Sequence, residues 1–216
     1  MKRKLGRLLM LLLVIMTVIL PLASVTNTAN AATTQKTTLT DKHLSSIKKK
    51  GYITVGLSAD YPPYEFHQTI KGQDKIVGFD ISIAEKIAKD LGVKLKVNEM
   101  GFDALLGALK TGKIDMIISG MSKTPEREKE VTFSKSYLNV KQVVMAKKED
   151  AGKLRSSSDY EGVKVGVQKQ SFQEELAQKE LFGAKITSLQ KMTDLVLNLQ
   201  NNKIAEFTIE VQHPMN

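Results

Sequence analysis

The 216-residue chain contains no cysteine. That excludes a disulfide framework, a cysteine-based metal site and a lipid anchor on an N-terminal cysteine. Its three histidines, His43, His67 and His213, are scattered without the spacing of metal ligands, so neither a metal nor a cofactor is expected. No internal repeat and no low-complexity core segment is present. Lysines are frequent but mix with Glu and Asp, and they form no stripe interleaved with aromatics. The longest basic run, Lys48–Lys50, closes a short helical pattern before Gly51, where cations suit the negative helix end. A nucleic-acid partner is therefore not expected.

A membrane anchor has one candidate, which reads as a cleavable leader in preference to a retained anchor. The one long apolar run, Leu8–Leu20, is shorter than the roughly 20 residues that cross a bilayer, and Pro21 interrupts it. Lys2, Arg3, Lys4 and Arg7 precede it and Ala29-Asn30-Ala31 follows, the layout of a cleavable export signal over residues 1–31. The formal charge of +9 includes those four cations, so the remainder is nearer +5, with 28 basic residues against 23 acidic. Residues 32–40, rich in Thr and Gln, read as a flexible tether.

From Asp41 onward short apolar strands alternate with helical patterns. Tyr52–Leu57 is rich in β-branched residues and predicts a strand. Ile81, Ala84, Ile87, Ala88 and Leu91 share one helix face, with Gly92 as C-cap. Lys94–Val97 alternates as a strand, Phe102–Leu109 is an apolar helix, and Ile114–Ile118 a buried strand whose only charge is Asp115. After an extended Gln142–Ala146 and a polar stretch to Tyr160, Val163–Val167 reads as a strand. Ser171-Phe172-Gln173-Glu174 is a capping-box signature opening a helix to about Lys179. Ala184–Leu189, Met192–Leu199 and Ile204–Ile209 continue as strand, helix and strand. This alternation predicts an α/β fold with parallel sheets, and the change near Tyr137–Ala146 divides it into a first lobe, 41–140, and a second, 141–216.

Two segments carry chemistry. Ser119–Arg127 follows a buried strand, with Thr124 placed to cap a helix and Pro125 at its first position. Free backbone groups and hydroxyls then stand at the carboxyl end of a strand, where open α/β sheets bind ligands. Arg127, one turn on, can grip a carboxylate with two parallel bonds, or pair at the surface with Glu126, Glu128 or Glu130. In Ser58–Phe66, two prolines hold an aromatic-rich loop extended. Its rings can wall a small amphipathic ligand or fold onto the core, as Phe66 is expected to do.

Gly78–Ala88 resembles the signature of the polar-amino-acid family of extracytoplasmic solute-binding proteins, family 3. Tyr61–Phe66, Ser119–Arg127 and Gly162–Gln168 fall at that family's spacings, and the resemblance spans about Leu44 to Glu210. It implies a two-lobed, type II periplasmic-binding-protein-like fold whose jaws close on a free amino acid. It further implies an exported, monomeric, non-enzymatic receptor serving an ABC transporter permease at the outer face of the membrane. A dehydratase on the same scaffold is the enzymatic alternative, but no nucleophile–base pair is evident. By the resemblance, Arg127 holds the ligand carboxylate, Ser122 serves both carboxylate and ammonium, and Gly120 accepts from the ammonium beside Ser119. Tyr61 stacks on the ligand and Phe102 lines its side-chain pocket. Gln168, Phe172 and Glu210 contribute from the second lobe, Glu210 on the ammonium.

The departures matter equally. Ser58 stands where several relatives carry an aspartate, which argues for a polar, glutamine-like ligand over a cationic one. Gln170 replaces a glycine at the loop that approaches the ligand. Family members continue beyond the Glu210 position, whereas this chain ends at Asn216, so the second lobe is expected to be incomplete and the receptor weak.

Overall fold

A computed structural model describes the backbone of residues 42–212, with side chains through residue 209. The export signal and tether expected over residues 1–40 lie outside the described residues. The chain divides into two units, Met1–Ser45 and Ser46–Asn216. The first is described only over residues 42–45, which are helical; everything that follows concerns the second. Among the described residues no helix is long and apolar enough to cross a membrane.

Within the second unit, residues 46–50 are helical (α1) and lead into β1 (Tyr52–Leu57), the centre of a parallel three-stranded sheet. Its neighbours are β5 (Lys94–Glu99), paired along its whole length, and β6 (Met116–Ile117). Bonds from Asp115 N to Thr54 O and from Ile118 N to Gly56 O carry the β6 pairing past its two ladder residues, close to the expected Ile114–Ile118. Asp115, the only charge in that strand, accepts from Lys50 Nζ at 2.6 Å and from Thr54 N at 2.8 Å, so its burial is compensated. Helix α2 (Phe79–Leu91) lays Ala84 and Ala88 against Ile53, Val55 and Ile118, and ends at Gly92 in the left-handed conformation. The expected helix after Phe102 is a 3-10 turn, Phe102–Ala104, continued by α3 (Leu105–Lys110), which packs with Ile114 in a second cluster.

Between β1 and α2 the chain makes an antiparallel sheet, β2 (Asp60–Tyr61), β3 (Glu65–Ile70) and β4 (Gln73–Val77). Sequence reasoning missed it: Phe66–Ile76 has little alternation of apolar and polar residues. The turn at Lys71-Gly72, both at positive φ, was its local signal.

A second sheet is ordered β7-β10-β8-β9, with β7 (Val140–Ala146) antiparallel to β10 (Glu206–Gln212). Strands β8 (Lys164–Gln168) and β9 (Lys185–Leu189) run parallel to β10. Between β6 and β7 lies α4 (Pro125–Glu128); α5 (Phe172–Glu180) and α6 (Met192–Gln200) cover the second sheet. Its core is Met192, Leu195, Leu199, Ile204 and Phe207, the last fully buried. Tyr61, from the loop after β1, packs on that same cluster, so the aromatic loop bridges the two sheets.

Candidate cleft between the two sheets

Strands β1 and β6 end at a cleft whose far wall comes from β8, α5, α6 and β10. Ser58, Asp60, Tyr61, Phe102, Ser119 and Gly120 border it on one side, and Gln168, Ser171, Gln173, Met192 and Thr208 on the other. The cleft therefore lies at the carboxyl ends of parallel strands in both sheets, where helix N-termini and loop amides gather. Among the described residues no cluster of three or more His, Asp or Glu side chains is arranged to hold a metal.

Five of the nine residues named from the sequence line this cleft: Tyr61, Phe102, Ser119, Gly120 and Gln168. Gly120 has φ 52 and turns its backbone beneath the Tyr61 ring, which an added Cβ would meet at 3.6 Å. Ser122 borders an adjoining cavity behind Gly120, with Tyr64 and Tyr137. Phe172 opens α5 between Ser171 and Gln173 without itself bordering the cleft. Glu210 sits in β10 opposite Gln142, and its side chain lies outside the described part.

Arg127 is buried, at 8 % exposure, and does not stand at the surface. The local sequence places it as expected: Thr124 caps α4 by accepting from Arg127 N, with Pro125 at the first helical position. Its Nη1 donates to Ser122 O at 2.5 Å and its Nη2 to Gln170 O at 2.9 Å, the second bond crossing from one side of the cleft to the other. The guanidinium also stands 5.7 Å from the centre of the Phe102 ring, within cation–π range. Gln170, at φ 58, holds the left-handed conformation that favours glycine. Its own N–H donates to Glu174 Oε2 at 2.6 Å, which keeps its carbonyl turned toward Arg127. Glu174 thus bonds Gln170 while accepting Ser188, and of the expected capping box the Ser171 side chain accepting from Glu174 N is in place.

The acidic residues of the cleft escaped sequence reasoning. Asp60, 9 % exposed, accepts from Ser58 Oγ at 2.9 Å and from Met192 N, across the cleft, at 2.7 Å. The latter is a free N–H at the start of α6, a helix with no side-chain cap of its own. A carboxylate from one side of the cleft thus caps a helix on the other. Burial raises the Asp60 carboxyl above its usual range, while the Met192 amide, the Ser58 hydroxyl and Lys191 pull it back.

Glu65, 1 % exposed, borders the same cleft. Its Oε1 accepts from Ser119 Oγ at 2.7 Å, and Ser119 Oγ accepts in turn from Ser58 N at 3.0 Å. Its Oε2 is enclosed and meets no donor, and the Asp80 carboxyl lies within interaction distance of the Glu65 carboxyl. Asp80, fully buried, accepts from Gly120 N at 2.8 Å and from Tyr137 OH at 3.0 Å. Two buried carboxyls thus grip adjacent residues, Ser119 and Gly120, of the loop after β6. Burial, then the neighbouring Asp80, pushes Glu65 up to about 9; burial likewise raises Asp80, and burial beside Asp80 raises the Tyr137 phenol.

The position of the pair is set by Gly78. At φ 130, its ideal Cβ would lie 2.1 Å from Tyr64 O, so only glycine lets the start of α2 press against the Pro63-Tyr64 backbone. Phe79 N and Asp80 N then bond Pro63 O and Tyr64 O, which lays Asp80 beside Glu65.

Residues 53–208 match the family model of the bacterial extracellular solute-binding proteins, family 3. Among curated proteins, the chain is 40% identical over 166 residues to the arginine-binding extracellular protein ArtP of Bacillus subtilis (strain 168), covering 76% of this chain and 62% of that one. It is 39% identical over 175 residues to a probable histidine-binding protein of Campylobacter jejuni, covering 81% and 61%. The chain thus spans about three fifths of the length of these relatives. Among solved structures, the amino acid ABC transporter substrate-binding protein AbpA of Streptococcus pneumoniae, bound to L-arginine, superposes with a TM-score of 0.75 at 38% identity, covering 77% of this chain and 70% of that one.

Proposed function

The chain belongs to family 3 of the bacterial extracellular solute-binding proteins, and from that premise we propose that it is an exported, non-enzymatic receptor for an amino acid with a cationic side chain, arginine foremost. It hands that ligand, as a monomer, to the permease of an ABC importer at the outer face of the membrane. The observation that carries the ligand class is the pair of buried carboxyl residues, Asp60 and Glu65, bordering a cleft walled by Tyr61 and Phe102. Buried acids flanked by aromatic rings suit a guanidinium, which pairs with the acids and stacks on the rings.

A glutamine-like ligand was expected from Ser58, on the ground that it supplies no counter-charge. Its surroundings argue otherwise: Ser58 Oγ bonds the carboxylate of Asp60, so the acid stands two residues along the loop. Gln168, which would favour an amide ligand, directs its Nε2 at Gln190 O at 3.2 Å. The similarity to an arginine-binding protein and to a probable histidine-binding protein supports the cationic reading as well.

In this reading Arg127 exchanges the Gln170 carbonyl for the ligand α-carboxylate, with the Ser122 amide beside it. The Gly120 carbonyl, Ser122 and Glu210 receive the α-ammonium, and Ser119, Gln168 and Phe172 complete the enclosure. The two sheets serve as the cores of lobes 41–140 and 141–216, which close on the ligand. Calorimetry with arginine, lysine, histidine, citrulline, glutamine and glutamate tests the proposal. Arginine is expected to bind most tightly; glutamine binding more tightly than arginine refutes it.

A further inference from the structure

The Glu65–Asp80 pair presents two carboxyl groups facing each other with no donor between them. An acceptor against an acceptor is bonded only if a proton lies between, and two buried carboxylates cannot both remain charged at contact. The pair does not borrow a cation either. Asp80 is occupied by Gly120 N and Tyr137 OH, and Glu65 Oε1 by Ser119 Oγ. The charged groups acting most strongly on Glu65 are Asp80 from α2 and Asp60 from β2, both acidic. Tyr137 adds a neutral phenol on the far side of Asp80, and Lys191 at the start of α6 acts on Asp60. Glu65 is also the member of the pair that borders the cleft.

We propose that the empty cleft holds one proton between Glu65 and Asp80, and that a cationic ligand side chain expels it to solvent as it binds. The inference rests on the cationic reading above and adds the means of selection. The exchange balances in charge: one guanidinium enters and one proton leaves to the buffer, so the buried site gains no net charge. A neutral isostere brings no charge to compensate and leaves the proton in place. The site therefore discriminates by what the ligand displaces as well as by what it touches. Its selectivity for cations then grows as protons become scarcer. The shared proton holds near neutral pH because burial and Asp80 lift Glu65 to about 9.

Calorimetric titrations of the chain with arginine and with citrulline, its neutral isostere, test this in buffers of different ionisation enthalpy near neutral pH. For arginine the observed enthalpy should vary with buffer ionisation enthalpy by about one released proton per ligand, and its Kd should fall about tenfold per pH unit between about pH 6 and 8. Citrulline should release none, and its Kd should stay flat; it also subtracts histidine titration common to both ligands. Glu65→Gln, which keeps the shape and can donate to Asp80 through its amide, should abolish the arginine-specific release. The wild-type comparison of the two ligands decides the matter even if that variant fails to fold. Arginine binding with no released proton overturns this inference and leaves the cationic reading intact; failure of arginine to bind overturns both.

Discussion

Replacing Asp60 by alanine isolates the bond that ties the two sides of the cleft together. Asp60 Oδ2 accepts from Met192 N at 2.7 Å, and both residues are buried. A hydrogen bond to a charged group contributes about 1.5–3 kcal/mol, and a carboxylate at a helix N-terminus about 0.3–1 kcal/mol. The two overlap, because one oxygen makes both interactions, so about 2–3 kcal/mol is at stake. If that bond forms only on closure, Asp60→Ala should weaken citrulline binding by about 30- to 150-fold, at 1.4 kcal/mol per decade, and arginine binding by at least as much, because arginine also loses a counter-charge. Asp60→Asn keeps one acceptor and loses the charge, so its loss should be smaller. Calorimetry supplies the affinities, and small-angle scattering with and without ligand reports the closed fraction. Loss of closure must weaken arginine and citrulline alike, since neither meets Met192 N. A variant that binds citrulline like wild type but loses arginine would refute the closure argument, leaving Asp60 as a counter-charge alone.

Arg127→Ala should weaken amino-acid binding by about 2–5 kcal/mol, because a buried carboxylate is left without its partner; an unchanged Kd by calorimetry would remove Arg127 from the site. For the unliganded chain, Glu65 titrates near 4.5 when unfolded and about 9 when folded. Between those values the folded state keeps a proton that the unfolded state has lost, so the Glu65 contribution to stability falls as pH rises, by at most about 1.4 kcal/mol per pH unit. Urea denaturation across that window should show the decline in wild type and a flatter profile in Glu65→Gln; identical profiles would refute it.

The fold was legible wherever period and punctuation agreed. Strand Tyr52–Leu57 and the left-handed Gly92 cap stand where the sequence placed them, because β-branched density and a glycine stop are local properties. The Thr124-Pro125 helix start and the Ser171 cap were likewise readable from the residues themselves. The antiparallel β2–β4 sheet was not: its faces are mostly polar and half-exposed, so no alternation marks it. In the cleft, the family resemblance pointed to Tyr61, Phe102, Ser119, Gly120 and Gln168. It overlooked Asp60, Glu65 and Asp80, since an acid in a loop or a helix start looks solvated until tertiary contacts bury it. The same holds beside Ser58. A missing charge at one position says nothing about an acid two residues away whose carboxylate folds back onto it.

The glycine at position 78 gives the acid pair an unusual mechanical property. Facing carboxyls in a flexible setting relieve repulsion by rotating or retreating until water enters between them. Here Asp80 is pinned by the flush meeting of the α2 start with the Pro63-Tyr64 backbone, and Glu65 follows Tyr64 directly in the chain. The backbone placement of the two residues is thus fixed by main-chain geometry, and their burial leaves the side chains little room to retreat. A pair that cannot step apart must answer every change of charge chemically, by taking or giving a proton or by admitting a cation. The tighter that joint, the less the pair can respond by moving and the more it must respond in charge.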